Sequence, residues 1–171
     1  SPVCEMFQPR YATLYMVKAI LTVLATIDYI PVEVLSNLSK SLQSVDPADF
    51  EVQGKELAGK LFGKTPIVYA SRKYRKVSHL WKIKINENAK TPAYHNYFPE
   101  LNHNEMVGYT LPRSKFHFVY VKNEEETSRN MKRMEVMKGL MEDKDLDVSE
   151  VVVPDFGGYF ANLVAMILVG D

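Results

Sequence analysis

The chain has 171 residues, with 21 Lys and Arg against 21 Asp and Glu, so its formal net charge is zero. That balance argues against a non-specific nucleic-acid binder, which needs surplus cations to displace counterions from phosphate. Hydrophobic residues make up 46% of the sequence, enough for one globular domain with a substantial core. The composition therefore predicts a single domain over residues 1–171.

Cysteine content and apolar stretches bear on the compartment. The one cysteine, Cys4, cannot form an internal disulfide, which favours a reducing, cytoplasmic location. Neither apolar stretch is predicted to cross a membrane: residues 11–30 contain Lys18 and Asp28, and residues 159–169 are shorter than the roughly 20 residues that a span needs. The amino-terminal end also lacks the basic region of a signal peptide.

The first third of the chain predicts three helices. One apolar helical face carries Leu14, Val17, Leu21, Leu24 and Ile27. Pro31 breaks this helix and precedes a second one over residues 34–42. A third helix is predicted to open at Asp46-Pro47, where Asp is a natural N-cap and Pro a favourable first residue.

From residue 66 onward, strands alternate with helices. The apolar runs 66–70, 116–121 and 148–153 predict buried strands, and residues 91–97 have extended character. Helices are predicted from Arg72, capped by Ser71, to about Ala89, and over 124–141 and 155–169. This order predicts an α/β fold, a parallel sheet flanked by helices on both faces in a flavodoxin-like three-layer sandwich. Ligands of such sheets gather beyond the carboxyl ends of the strands.

The densest polar cluster, residues 86–105, follows neither a helical nor a strand period, and such regions are where function is expected. One interpretation is a metal site. Four side chains of suitable type lie in the cluster: His95, Glu100, His103 and Glu105. Their spacing fits no established zinc pattern, so no metal is predicted.

Glu87 is a candidate general base. It continues the stripe of Leu80 and Ile83 at the end of the predicted helix, so partial desolvation and the negative helix end would raise its pKa towards neutrality. A solvated Glu on a frayed last turn is the alternative. His103 could move protons near neutral pH, or could be a helix-start histidine bonded to the backbone. The basic turn over residues 71–76 could bind phosphate but lacks glycines, which favours a solvated first turn.

Two segments of this cluster, residues 86–90 (NENAK) and 99–105 (PELNHNE), resemble the second of the two sugar isomerase (SIS) domains in the bifunctional phosphoglucose/phosphomannose isomerase family. The similarity extends more weakly to Gln8-Pro9-Arg10 and to residues 168–171. It implies interconversion of glucose 6-phosphate or mannose 6-phosphate with fructose 6-phosphate, without metal or organic cofactor. It also implies that Glu87 shuttles the proton between C2 and C1, that His103 assists ring opening, and that Arg10 stabilises the enediol oxygen.

The resemblance further implies that the chain is one part of a larger enzyme. The first SIS domain with its phosphate loop and a terminal segment with a functional lysine have no counterpart in it. Family members form homodimers in which the ring-opening histidine comes from the neighbouring subunit. We therefore expect the chain alone to be inactive and to expose an apolar face where further parts dock. The alternative is a non-catalytic SIS module that binds a phosphosugar in a regulator.

Overall fold

The computed structural model describes residues 11–170 and contains one four-stranded parallel sheet. Its strands are β1 (Thr65–Ser71), β2 (Tyr94–Phe98), β3 (Phe116–Asn123) and β4 (Asp147–Val153). They are arranged in the order β2-β1-β3-β4, with every neighbouring pair parallel. The predicted α/β class is confirmed.

Seven α-helices accompany the sheet in the described range: α1 (Thr13–Thr26), α2 (Glu33–Gln43), α3 (Glu51–Leu61), α4 (Arg75–Asn88), α5 (Leu101–Gly108), α6 (Ser128–Glu142) and α7 (Tyr159–Val169). Short 3₁₀ turns precede α3 and α4. The cap predicted at Asp46 is present, because its carboxylate accepts a hydrogen bond from Ala48 N at 3.0 Å. No helix within residues 11–170 is long and apolar enough to cross a membrane.

Alternate residues of the strands build two separate cores, as the pleat of a sheet requires. Val68 and Val119 point to the face covered by α3, α4 and α7, where Trp81 is buried. Tyr69 and Phe118 point to the other face, where α6 contributes three buried methionines. Because both faces are covered, β1 and β3 are apolar on both sides, which explains their continuous hydrophobic runs.

Helix α1 is apolar on two sides. Its predicted inward face is half-buried except for Ile27, which is exposed beyond the last turn. The adjoining side presents Met16, Ile20 and Val23 and continues to Ile27, which follows the helix; these residues are 46–64% exposed, and no α1 residue is buried. Their spacing of four, three and four residues makes one continuous helical stripe. Helix α1 thus exposes an apolar stripe, and the docking of a further part of the enzyme on it stays a prediction.

Two helices begin later than predicted. Helix α6 starts at Ser128 instead of residue 124, because the Thr127 hydroxyl caps the helix by accepting a hydrogen bond from Asn130 N at 3.4 Å. Helix α7 starts at Tyr159 instead of residue 155, because Gly157 has a positive φ of 78°, which is incompatible with a right-handed helix. In both cases polar residues at the carboxyl edge of the sheet form turns before the helix begins.

Gly170 has no room for a side chain. A Cβ there would lie 2.4–2.7 Å from ring atoms of Trp81, whose indole donates to Met166 O at 2.8 Å. We expect Gly170→Ala to lower the free energy of unfolding by about 1–3 kcal/mol, measured by urea titration followed by circular dichroism. Gly139→Ala is the matched control, since its added methyl meets no atom within 4 Å and Ala favours a helix interior. Equal stability of both variants would contradict this packing.

Candidate functional site

Glu87 lies in the last turn of α4, as predicted, but it is not desolvated. Leu80 and Ile83 on the same stripe are half-buried, whereas Glu87 is exposed. The buried side of α4 carries Val77, Trp81 and Lys84 instead, so the stripe that ends at Glu87 lies beside the core-facing side of the helix. The turn that follows is ordered by Lys90, which has a positive φ of 54° and donates from Nζ to Glu87 O at 2.6 Å.

His103 occupies the first turn of α5 and is also exposed. Its backbone N–H donates to Glu100 O at 3.0 Å, so the residue belongs to the helix start. The backbone of His103 therefore agrees with the alternative of a helix-start histidine. Its imidazole is exposed. The segment that carries the motif therefore presents an accessible imidazole on a short helix.

Glu87 and His103 lie at opposite edges of the sheet. Helix α4 starts after Ser71 at the carboxyl edge and runs back across the sheet, which puts Glu87 at the amino edge, near the start of β2. Helix α5 starts just after Phe98, which pairs with Ser71, so His103 lies at the carboxyl edge. Fourteen helical residues span about 21 Å. Within one chain the two side chains are therefore separated by a distance on the order of 20 Å.

The helix that carries His103 is fixed to the sheet by Glu105. Tyr69 and Asn96, opposite each other on β1 and β2, donate to its two carboxylate oxygens at 2.6 and 2.5 Å. The Tyr69 hydroxyl also lies 3.1 Å from that of Tyr109. Burial raises the pKa of Tyr69 far above its ordinary value, and Tyr109 and Glu105 reinforce this, so Tyr69 stays protonated as a donor. Sequence reasoning considered Glu105 only as a metal ligand, because nothing local reveals its partners.

The helical periodicity of α4 placed Lys84 on the same line as apolar residues but did not reveal its burial. Lys84 continues the line of Val77 and Trp81 on α4 and, like them, is buried. Burial lowers the pKa of its ammonium group to about 8, because a charge is disfavoured away from water. Lys84 lies one turn before Glu87, with its side chain buried where that of Glu87 is exposed.

The metal interpretation gains no support from the geometry. Across residues 11–170, no three His, Cys, Asp or Glu side chains lie together as a metal site requires. His95 instead stacks on His79 with ring centroids 4.6 Å apart. Burial, followed by the charges of His79, Lys82 and Lys76, lowers the pKa of His95. The pair therefore belongs to the packing between α4 and β2.

The basic turn after β1 differs in one respect from the prediction. Arg72, Lys73, Arg75 and Lys76 are exposed, in agreement with a solvated first turn. Ser71, however, does not cap the helix: its hydroxyl is buried and accepts no hydrogen bond from the turn. A short 3₁₀ turn intervenes between Ser71 and α4, which displaces the first helical N–H groups from the reach of its side chain.

The third candidate residue, Arg10, lies outside the described residues.

Solved structures with the same fold include several sugar-phosphate proteins. One, described as a glucose-6-phosphate isomerase like protein from Thermus thermophilus, covers 99% of this chain and 56% of its own, with a TM-score of 0.65 and 18% identity. Another is the C-terminal domain of glucosamine-fructose-6-phosphate aminotransferase from Francisella tularensis, covering 81% of this chain and 42% of its own, with a TM-score of 0.55 and 13% identity. The chain thus shares its α/β fold with these two proteins.

Sequence comparison gives the family. Residues 50–171 match the family described as the bacterial phospho-glucose isomerase C-terminal SIS domain, and the chain belongs to it. Curated relatives include the bifunctional phosphoglucose/phosphomannose isomerases of Aquifex aeolicus (strain VF5), 33% identical over 139 residues, and of Caldicellulosiruptor bescii, 34% identical over 144 residues. The matches cover 80% and 82% of this chain but 42% of each relative. The chain therefore spans less than half the length of these relatives.

Proposed function

We propose that this chain is the second half of an enzyme that interconverts hexose 6-phosphates with fructose 6-phosphate by proton transfer. Membership of the isomerase family is the observation that carries the proposal. The exposed carboxylate of Glu87 and the exposed imidazole of His103 are compatible with it, since both groups are accessible to a substrate or to a further domain.

Each step requires one of the candidate side chains. The Glu87 carboxylate removes the proton from C2 of the aldose, and the electrons of the C–H bond move through C1 onto the carbonyl oxygen to give a cis-enediolate. The proton of the C2 hydroxyl then passes to the oxygen on C1, so that the negative charge lies on the C2 oxygen, which becomes the ketone. The same carboxylate returns the proton to C1, which completes the ketose. His103 transfers the proton that opens the sugar ring, and Arg10 stabilises the negative oxygen of the enediol. The phosphate group would be held by the part of the enzyme that this chain lacks.

The distance between the two candidate groups supports an assembled site. Because Glu87 and His103 lie at opposite edges of one sheet, one chain does not supply both to one substrate. Two chains in a symmetric dimer bring the Glu87 edge of one to the His103 edge of the other. This arrangement, together with the part of the relatives that this chain does not span, leads us to expect an inactive isolated chain.

Activity of a chimera tests the proposal. In the chimera, this chain replaces the matching part of the Aquifex aeolicus relative, which supplies the first half. We expect the chimera to convert fructose 6-phosphate to glucose 6-phosphate and mannose 6-phosphate at a rate within about tenfold of the parent. The chain alone should be slower by at least about 10³-fold, because positioning and charge stabilisation are both incomplete.

Two results would contradict the proposal. Full turnover by the isolated chain would show that the site is complete without a first half. A folded chimera that binds fructose 6-phosphate in calorimetry but does not turn it over would support the non-catalytic regulatory module instead. Such a module has no need of an enolising base.

A further inference from the structure

Helix α5 contacts the sheet through one line of side chains. Leu101, Glu105 and Tyr109 follow each other at intervals of four residues, so they lie on the same side of the helix and its C-terminal cap. Leu101 is fully buried, and the ring of Tyr109 lies edge-on to Phe118 with the ring centroids 4.8 Å apart. Glu105 is therefore a polar attachment point between two apolar ones.

The spacing of His103 and Glu105 fixes the direction of the imidazole. Successive residues of an α-helix are turned by about 100°, so side chains two positions apart point about 200° apart. Because Glu105 points to the sheet, His103 points away from it, in agreement with its exposure. A rotation of α5 about its axis moves both side chains together.

Apolar packing alone leaves the rotation of α5 weakly determined. The helix has eight residues, of which Leu101 is buried and Met106 is packed in part against the core. Isolated helices shorter than about 12–15 residues are marginal in water, so α5 depends on its contacts with the sheet for its conformation. Apolar contacts are non-directional, whereas hydrogen bonds have a preferred geometry. The two hydrogen bonds to Glu105 therefore set the rotation of the helix.

Both donors to Glu105 are fixed in the sheet. Tyr69 is fully buried on β1, where the ring centroids of Phe98 and Tyr120 lie 6.1 and 6.0 Å from its own. Asn96 lies opposite Tyr69 on β2, and its side-chain oxygen accepts a hydrogen bond from the next backbone N–H at 2.8 Å, which directs its amide group. Hydrogen bonds to a carboxylate are shorter and stronger than those between neutral groups. The sheet thus holds Glu105 from two neighbouring strands.

We infer that Tyr69, Asn96 and Glu105 are positioning residues that act through α5 to place the imidazole of His103. The inference rests on the proposed function for the chemical role of His103, and on the hydrogen bonds and the helix geometry for its placement. None of the three positioning residues takes part in the proton transfers proposed above. Because Glu87 ends a different helix at the opposite edge of the sheet, loss of the attachment should affect ring opening and spare enolisation.

Tyr69→Phe tests the attachment in the chain itself, because it removes one hydrogen bond to Glu105 and keeps the buried ring. Tyr120→Phe is the matched control. Tyr120 is fully buried in the same core, and its hydroxyl has no hydrogen-bond partner among residues 11–170. Amide hydrogen exchange of α5, measured by NMR, should be about tenfold faster in Tyr69→Phe and within about threefold of the unsubstituted chain in Tyr120→Phe. The imidazole signals of His103 should shift in Tyr69→Phe alone.

Glu105→Gln is a second variant at a half-buried position, so it tests the same attachment without a change in the core. Glutamine has one acceptor oxygen in place of two, and its amide group then faces a donor. Exchange in α5 should therefore rise by about tenfold or more in this variant as well. Circular dichroism checks that each variant is folded.

Kinetics of the chimera test the consequence for His103. The open-chain analogue 5-deoxyfructose 6-phosphate cannot close a furanose ring and needs no ring opening. Tyr69→Phe should lower kcat for fructose 6-phosphate by about tenfold and stay within about threefold on the analogue, because the base is not displaced. Tyr120→Phe should stay within about threefold on both substrates, whereas a general loss of stability would lower both rates equally.

Three results would overturn the inference: unchanged exchange of α5 in Tyr69→Phe and Glu105→Gln, equal effects of Tyr69→Phe and Tyr120→Phe, or equal losses on both substrates. An inactive unsubstituted chimera would contradict the proposed function instead. Exchange and the imidazole signals need no activity, so in that case they would still decide whether the attachment places His103.

Discussion

Glu87→Gln is expected to lower kcat/KM of the chimera for fructose 6-phosphate by about 10³-fold. Glutamine keeps the length and hydrogen-bonding capacity of the side chain but cannot accept a proton, and a positioned general base contributes roughly 10²–10⁴-fold. The substitution should leave the fold intact, since Glu87 is exposed at the end of α4. Turnover and the loss of deuterium from 2-deuterated glucose 6-phosphate both measure the removal of the proton from C2.

Glu87→Asp distinguishes a base from a structural carboxylate. It retains the acid and shortens the side chain by one methylene, so activity should fall less than in the Gln variant, with the pH profile still governed by a carboxyl group. A neighbour on the same helix, Asn88→Gln, is the control for a change of similar size at an exposed position, and should stay within about threefold of the unsubstituted chimera. Label exchange at an undiminished rate in Glu87→Gln would remove this residue from the mechanism.

His103→Ala is expected to lower turnover of fructose 6-phosphate by about 10²-fold, because ring opening loses its proton carrier. The effect should depend on the substrate. The analogue 5-deoxyfructose 6-phosphate lacks the hydroxyl that closes the furanose ring, so it needs no ring opening. With this analogue, His103→Ala should stay within about threefold of the unsubstituted chimera, since the base remains in place.

The same analogue separates the two residues. Glu87→Gln should be impaired on both the cyclic and the open-chain substrate, whereas His103→Ala should be impaired on the cyclic one alone. An equal loss on both substrates in His103→Ala would assign the histidine to enolisation or to binding. Steady-state kinetics of the two variants, each with both substrates, and of the unsubstituted chimera distinguish these two roles.

The strands of the central sheet could be predicted from sequence because their environment is uniform. β1 and β3 are covered on both faces, so nearly every residue from 66 to 70 and from 116 to 121 is apolar and the run is visible without any alignment. The inward side of α4, with Val77 and Trp81, was visible for the same reason: a helix packed on a sheet repeats its buried residues every three or four positions.

The candidate site could be predicted only as a set of residues. Extending the α4 stripe to Glu87 failed because periodicity gives the direction of a side chain and not what covers it, and Glu87 is exposed. Helix α5 was not predicted as a helix, since its exposed polar residues Asn102, His103 and Asn104 hide its single buried residue, Leu101. The anchoring of Glu105 by Tyr69 depends on residues 36 positions apart.

The separation of Glu87 from His103 follows from chain topology alone. A helix that connects two parallel strands must run antiparallel to them, so its start and its end lie at opposite edges of the sheet. Glu87 ends one such helix and His103 begins the next. Under the proposed function both groups act on one substrate, so we expect a site shared between two chains and activity that requires the dimer.

Mixing two inactive chimeras tests this claim most directly. Glu87→Gln and His103→Ala chimeras are unfolded together, refolded as a mixture and assayed with fructose 6-phosphate. In a symmetric dimer with shared sites, half of the dimers are mixed and each mixed dimer has one intact site of two, so activity should return to about a quarter of the unsubstituted level. A mixture that stays as inactive as its components would contradict a site built from Glu87 of one chain and His103 of the other.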